Sequence, residues 1–254
     1  MRVTILGCGT SSGVPRVGND WGSCDPTEPR NRRRRVSILV EHAGTSILVD
    51  TGPDLREQLI DAGVAHVDAV IWTHDHADHC HGIDDLRQVY HARGAPVPGY
   101  ARPETLQTLR NRFGYIFAGK GDYPPVASLN SLPDRMTIGA IEIGIVDQPH
   151  GSIHSAGIRF DAGGRSIGYS TDVNRLTGEM ADLFTGIDLW IVDALRKRPH
   201  PSHASLSEAL GWIEDIRPAR TLLTHMDQSM DYRALLSELP ASVEPAYDGQ
   251  VVAL

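Results

Sequence analysis

Residues 73–82 read Thr-His-Asp-His-Ala-Asp-His-Cys-His-Gly and gather four of the chain's twelve histidines into ten residues. The segment leaves an apolar, β-branched run, Ala69–Thr73, of strand length. His74 and His76 therefore stand in a loop at a strand end, two residues apart and able to face the same way. Two neutral imidazoles so placed supply part of one metal shell. Asp78 and His79 are adjacent, so their side chains diverge and suit a second ion beside the first. One loop cannot close two coordination spheres. The fold must therefore carry further donors from distant segments to the end of this one strand, and no other feature narrows the architecture as much.

The rest of the chain shows how. Short β-branched runs alternate with helical patterns, which argues for α/β layering. Strands are predicted at Val3–Leu6, Val36–Val40, Ser46–Val49, Ala69–Thr73, Ile141–Val146, Gly157–Phe160, Ser166–Tyr169, Leu189–Val192, Arg220–Thr224 and Val251–Ala253. Asp54, with Glu57 three residues on, is predicted to cap a helix whose apolar side is Leu55, Leu59 and Ile60 and which Gly63 stops. Ser205 and Glu208 make a second capping box ahead of Leu206, Ala209, Leu210 and Ile213. Asp84–Arg93, Glu104–Arg112, Leu176–Phe184 and Tyr232–Leu239 complete the helices. No linker-like or low-complexity stretch breaks the 254 residues, so residues 1–254 are read as one domain.

Metal-type side chains recur just past strand ends. Asp172 follows the strand Ser166–Tyr169, Asp193 follows Leu189–Val192, and His225 follows Arg220–Thr224. In layered α/β folds, sites form where strand ends let loops converge. His150, Asp172 and His225 are thus the candidates to complete the two shells. Taken singly, each has an ordinary explanation: His150 as a loop residue before Gly151, Asp172 as a helix cap, His225 as a core histidine. Imidazole and carboxylate donors suit Zn²⁺, Mn²⁺ or Fe²⁺.

In this order, His74-x-His76-x-Asp78-His79, His150, Asp172 and His225 resemble the ligand set of the metallo-β-lactamase fold. The resemblance covers nearly the whole chain, including the loop Leu6–Pro15 and the stretch Leu48-Val49-Asp50-Thr51-Gly52. It implies an α/β (α+β) architecture, a four-layer αββα sandwich. It also implies that His74, His76 and His150 hold one ion, that Asp78, His79 and His225 hold the other, and that Asp172 bridges them. Asp50 would stand behind, orienting a ligand imidazole or the motif loop. Two such cations, Zn or Mn with Fe as a further option, turn a shared water into hydroxide at neutral pH. Asp78 would then act in the chemistry as well as in binding. With only Asp78 and Asp172 as carboxylates, the centre stays net positive and suits an anionic substrate.

The Gly-Thr-Ser-Ser-Gly-Val-Pro loop, residues 9–15, and an aspartate as bridge resemble the phosphodiesterase branch of the superfamily. Acyl hydrolysis, of a lactone or thioester, uses a similar scaffold and is the alternative. His200-Pro201-Ser202-His203-Ala204-Ser205 precedes a capped helix, where a helix N-terminus and a histidine make a phosphate contact. His203 is the candidate to bind phosphate and to protonate a leaving alkoxide. Ser205 is placed as a second substrate contact, and His200 is the weaker of the two histidines. Asp193 supports the site from behind, caps a helix or pairs with Arg196.

Length, ligand order and the His203 loop resemble the phosphoribosyl cyclic phosphate phosphodiesterases, which open a five-membered cyclic phosphate. The tRNA 3′-end endonucleases come second, but they carry a basic, Gly-rich arm that this sequence does not show. The sequence also departs from the first family. Its N-terminal cysteine cluster, which builds a structural zinc site with a later histidine, is reduced here to Cys24, and Gln228 stands three residues past His225. One thiolate cannot hold a structural zinc, so that site is expected to be missing. Trp21 is a candidate to stack on a base or ribose at the mouth, or to brace the loop as a buried aromatic. Asp75 and His81 are read as supporting groups, Cys80 as a small buried residue, and Gly82 as a point of close chain approach.

The formal charge of −8, from 24 basic and 32 acidic residues, argues against a grip on long nucleic acid. The run Arg30–Arg35, interrupted only by Asn31, is read mostly as a solvated entry to a strand, with one or two arginines free to face an anionic substrate. Three widely spaced cysteines make no disulfide framework, so a reducing cytoplasm is expected. No apolar run reaches membrane-spanning length and the N-terminus lacks a signal-peptide pattern. The expected partner is a small anionic phosphodiester, with neither long nucleic acid nor membrane; the resemblance also allows a homodimer.

Overall fold

Alternating strand and helix runs give the chain two faces to bury, and it buries them between two sheets. The computed structural model describes residues 1–254. In chain order the first half forms β1 (Arg2–Gly7), β2 (Ser37–His42), β3 (Thr45–Val49), α1 (Leu55–Asp61), β4 (Ala69–Trp72), α2 (Ala77–Cys80), α3 (Leu86–Arg93), β5 (Val97–Ala101), α4 (Pro103–Ala118) and β6 (Ala127–Ser131). The second half forms β7 (Arg135–Ile138), β8 (Ile141–His150), β9 (Ile153–Ala162), β10 (Arg165–Ser170), α5 (Gly178–Phe184), β11 (Leu189–Asp193), α6 (Leu206–Ile216), β12 (Arg220–Thr224), α7 (Tyr232–Glu238), β13 (Val243–Pro245) and β14 (Val251–Ala253).

Each sheet has seven strands, in the orders β14-β1-β2-β3-β4-β5-β6 and β13-β12-β11-β10-β9-β8-β7. The last strand thus returns to the first sheet and pairs antiparallel with β1. A large apolar cluster joins the facing sides of the sheets, with Ile5, Ile38, Val49 and Ile71 from one and Ile143, Phe160, Ile191 and Leu222 from the other. A second cluster, including Leu48, Val70 and Trp72, packs the outer face of the first sheet on α1, α3 and α4. Strands buried on both faces read as unbroken apolar runs, and β4 and β11 are buried at every residue. This is the αββα sandwich expected from the sequence. No helix is long and apolar enough to cross a membrane.

Direction of pairing decides where donors emerge. β3, β4, β5 and β6 run parallel, as do β10, β11, β12 and β13. Register aligns Ser170 with Val192 and Asp193 with Thr224, so the residues just past β10, β11 and β12 leave at one level. β8 returns to the same edge through its hairpin with β9, where His150 pairs with Ile153. The Ala156 amide donates to the Thr73 carbonyl across the sandwich at 2.9 Å, tying the end of β4 to this edge.

Several local expectations change. His150 is the last residue of β8, ahead of a turn in which Gly151 takes φ +60°, and not a loop residue. Asp54 stands at the start of α1 but caps nothing. Its carboxylate accepts from the Arg35 amide at 2.8 Å instead, and Ile60 is 55% exposed rather than buried. Arg33 is not solvated: it is fully buried and donates to the Met230 carbonyl at 2.6 Å. The capping box of Ser205 and Glu208 is present. β5, β6, β7 and β13 are additions to the strands read from the sequence.

Candidate metal centre

β4 delivers Thr73 and His74 at its end, and the chain then turns through His76 into α2, which carries Asp78 and His79. A close approach fixes that helix: a Cβ on Gly82 would lie 2.0 Å from the Gly52 carbonyl, and one on Gly52 would lie 2.2 Å from the Asp78 carbonyl. Only glycines let the Asp50–Gly52 loop seat against the motif.

Across the cleft, Asp172 takes φ +54° and His225 φ +59°. Both are in the left-handed region, where non-glycine residues are uncommon and cluster at functional sites. The Ser155 hydroxyl donates to the Asp172 carbonyl at 2.8 Å, and Gln148 donates to the Thr171 carbonyl at 3.2 Å. These two strand residues hold the strained turn, and nothing in their spacing marked them in the sequence.

The two carboxylate oxygens of Asp172 face two different sets of donors. Oδ2 lies 3.6 Å from His74 Nε2 and 3.4 Å from His150 Nε2, and His150 Nε2 lies 3.3 Å from His76 Nδ1. Oδ1 lies 3.2 Å from His79 Nε2 and 3.4 Å from His225 Nε2, while Asp78 Oδ2 is 3.3 and 3.6 Å from the same two nitrogens. Candidate donor atoms in each set lie within 4.8 Å of one another. His74, His76, His150 and Asp172 thus form one group, and Asp78, His79 and His225 form the other. Except for His76, which is exposed, all are buried or nearly so.

Whether cations fit here is decided by the unsatisfied atoms. His74 Nε2, His79 Nε2 and both ring nitrogens of His225 are buried without a hydrogen-bond partner. Orphaned buried nitrogens are costly in a dry protein and ordinary when their lone pairs point at a metal. The opposite ring faces support that reading. His79 Nδ1 bonds Asp50 Oδ2 at 2.7 Å, and His150 Nδ1 donates to the Ser202 carbonyl at 2.7 Å, so each presents Nε2 to the cluster. Asp50 in turn accepts from the Thr73 amide and hydroxyl, both at 2.8 Å. The donor set fits divalent cations.

Charge states agree. Burial alone would raise the Asp78 and Asp172 carboxyls, but the surrounding histidines outweigh it and hold both well below the usual range. Burial, helped by neighbouring imidazoles, lowers His74, and it lowers His150 as well. His79 goes the other way: burial opposes its charge, yet Asp172, Asp78 and Asp50 together raise it well above normal. A metal ion at His79 Nε2 would displace that proton.

His203 completes the rim. Its Nδ1 bonds Asp193 Oδ2 at 2.8 Å, its ring stacks on His225 at 4.6 Å, and its Nε2 lies 3.9 Å from Asp172. Burial works against the imidazolium, but Asp193 overcomes it and raises the group to about 9. Asp193 therefore supports the site from behind; it neither caps a helix nor pairs with Arg196. His200 packs against His203, with ring centres 5.1 Å apart.

Two sequence candidates do not reach the cluster. Ser205 is buried at the start of α6, where its hydroxyl bonds the backbone and carboxylate of Glu208. Trp21 is half-buried and makes its contacts with Asn19 and beneath the Arg32 guanidinium, 5.5 Å from the ring centre, not with the histidines. Asp75 lies 3.7 Å from Arg112, and His81 is exposed with its ring edge-on to Phe113. Cys80 is buried, as expected.

Comparison with known proteins agrees with this fold. Residues 45–226 match the model of a β-lactamase superfamily domain. The crystal structure of a new diphosphatase from the PhnP family is 33% identical, with a TM-score of 0.91 over 99% of this chain and 97% of that one. Zn²⁺-bound PqqB from Methylobacterium extorquens shares the fold at 19% identity and a TM-score of 0.81, each chain covered whole. An octanoyltransferase of Porphyromonas gingivalis is 32% identical over 98% of this chain; the chain spans only 51% of that protein's length.

Proposed function

Because the chain belongs to the β-lactamase superfamily and, within it, to the PhnP family, we propose that it is a two-metal phosphodiesterase acting on a small cyclic or nucleotide-like phosphodiester. The observation that carries the proposal is Asp172, with one carboxylate oxygen toward each donor group and a carboxylate-held histidine beside it. Two bound cations would polarise a phosphoryl oxygen and activate water. The chain's own residues supply the rest. The near-neutral His74 and His150, with Asp78 and Asp172 as the only anions among the donors, leave the centre attractive to a phosphate. Asp193 fixes the His203 ring and stabilises its charged form, so a proton is held at Nε2 facing the cluster. The attacking water gives one proton to solvent; as its oxygen forms the bond to phosphorus and the bond to the leaving oxygen breaks, the His203 proton passes to the leaving oxygen, and His203 is reprotonated from solvent.

The similar PhnP-family structure is named a diphosphatase, and its chemistry, like the one proposed here, is attack at phosphorus. Acyl hydrolysis is the second reading, favoured by the octanoyltransferase name; that name belongs to a protein about twice as long. Endonuclease action on tRNA fits less well with a chain of net charge −8. Three free, buried cysteines accord with action in a reducing cytoplasm.

The test is His203→Ala. Turnover of adenosine 2′,3′-cyclic phosphate, whose alkoxide must be protonated to leave, should fall about 10²–10⁴-fold, with two metal ions per chain retained by elemental analysis. Loss of metal would make His203 a ligand, and unchanged turnover would remove it from the chemistry.

A further inference from the structure

The candidate ligands differ in what orients them. Asp50 holds the His79 ring through Nδ1, and the Ser202 carbonyl holds that of His150. His225 has no such anchor: its Nδ1 is buried without a hydrogen bond, as is the Nε2 that faces Asp78 and Asp172. Its ring stacks on His203 at 4.6 Å and on His79 at 6.0 Å, but no polar group fixes its rotation. The direction of this side chain is therefore set by its backbone, which takes φ +59°. A left-handed residue other than glycine persists only where its surroundings over-determine it. For His225 that constraint comes from the turn that follows.

That turn is gripped from two sides. On one, the Met226 amide donates to the Cys8 carbonyl at 3.0 Å and the Met226 carbonyl accepts from the Thr10 amide at 3.2 Å. On the other stands Arg33. Its Nη2 donates to the Met230 carbonyl at 2.6 Å and its Nη1 to the Asp227 carbonyl at 3.3 Å. Asn31, also buried, lies 3.4 Å from Nη2, accepts from the Tyr232 amide at 2.8 Å and donates to Asp231 at 2.7 Å. A Cβ on Gly22 would lie 2.4 Å from Gln228 Cγ, so the same loop is pressed against the turn. Arg33 is also the odd member of its run. Arg30 and Arg32 lie over aromatic rings, and Arg34 and Arg35 pair with Asp61 and Asp54. Arg33 is 2% exposed and bonds carbonyls, Asn31 and the Cys24 thiol, with no carboxylate partner. A guanidinium stays charged, and burying it unpaired costs more than an apolar side chain of like volume would. What the arginine supplies is geometry: one rigid fork spans two carbonyls of a single turn.

We propose that Arg33 is a positioning residue for the metal centre: by holding the carbonyls of Asp227 and Met230 it fixes the turn that aims His225 at Asp78 and His79. It acts through that backbone and touches none of the donor atoms. The group of Asp78, His79 and His225 therefore depends on Arg33, whereas His74, His76 and His150, which are carried at the ends of β4 and β8, do not. The inference rests on the two-metal reading of the site.

Calorimetric titration of chelator-stripped protein with zinc separates the two groups. The wild type should take up two ions in two steps; His225→Ala marks the step that belongs to the second group, and His76→Ala the step that belongs to the first. Arg33→Met should weaken the His225-dependent step about 10–100-fold and leave the other within about twofold. Arg33→Lys keeps the charge but cannot span both carbonyls. It should weaken the same step by about three- to tenfold, and it decides the matter if Arg33→Met does not fold. A role in stability alone would lower the urea midpoint while leaving both steps unchanged or weakening both alike. Either pattern, in a variant that folds, would overturn the proposal and leave the two-metal reading standing. Fewer than two ions in the wild type would overturn that reading and the proposal with it.

Discussion

At the scale of single residues, the centre depends on groups that never touch a cation. Asp50 is the clearest. It is fully buried, accepts two bonds from Thr73 and one from His79, and so fixes which His79 nitrogen faces the cluster. Asp50→Ala is expected to weaken metal binding about 10–100-fold, read by competition with a chelating dye; unchanged affinity would mean that the histidine needs no such anchor. The ligand candidates were legible because donor residues are conspicuous at the ends of apolar runs. Asp50 was legible only through resemblance. Ser155 and Gln148 were not legible at all, since a serine and a glutamine in a strand look the same whether they face solvent or hold the carbonyls of Thr171 and Asp172.

At the scale of elements, the strands read best from the sequence were those with unbroken β-branched runs, such as β4, β11 and β12. β5 escaped notice because Pro98 and Gly99 interrupt it. Gly99 is there for packing: a Cβ would meet the Trp72 ring at 2.4 Å. The helix signals were half right. Ser205 and Glu208 form the capping box that their spacing predicts, whereas Asp54 turns to Arg35, because a backbone amide from the neighbouring loop competes for its carboxylate. The cap also removes Ser205 from the substrate. Ser205→Ala should lower stability by about 1 kcal/mol in urea unfolding. A raised KM with an unchanged urea midpoint would instead return its hydroxyl to the site.

At the scale of the whole molecule, the sandwich closes through its ends. Asp248, in the turn before β14, accepts from the Cys8 amide at 3.1 Å and the Arg34 amide at 2.7 Å, joining the C-terminal strand to both loops beside β1 and β2. Burial outweighs these bonds and pushes its carboxyl from 3.8 up to about 6. The folded protein thus holds this proton more tightly than the unfolded chain does. The stabilisation is complete below about pH 4 and disappears as pH rises through about 6, a change on the order of 3 kcal/mol. Asp248→Asn should flatten that part of the plot of urea midpoint against pH, whatever it does to stability overall; an unchanged slope would place the titration elsewhere.

The two halves meet because parallel strands in each sheet end at one edge, and there β4 brings four donors while β8, β10 and β12 bring three. Such an edge explains how a chain of this kind gathers donors that fit divalent metal, but not what it hydrolyses. That rests on His203, Asp193 and Asp172. The direct measurement is turnover by the metal-loaded protein of bis(p-nitrophenyl) phosphate and an acyl lactone, side by side at neutral pH. Hydrolysis of the diester, abolished by chelation and restored by zinc or manganese, is the predicted result. Lactone hydrolysis with an inert diester would contradict the account.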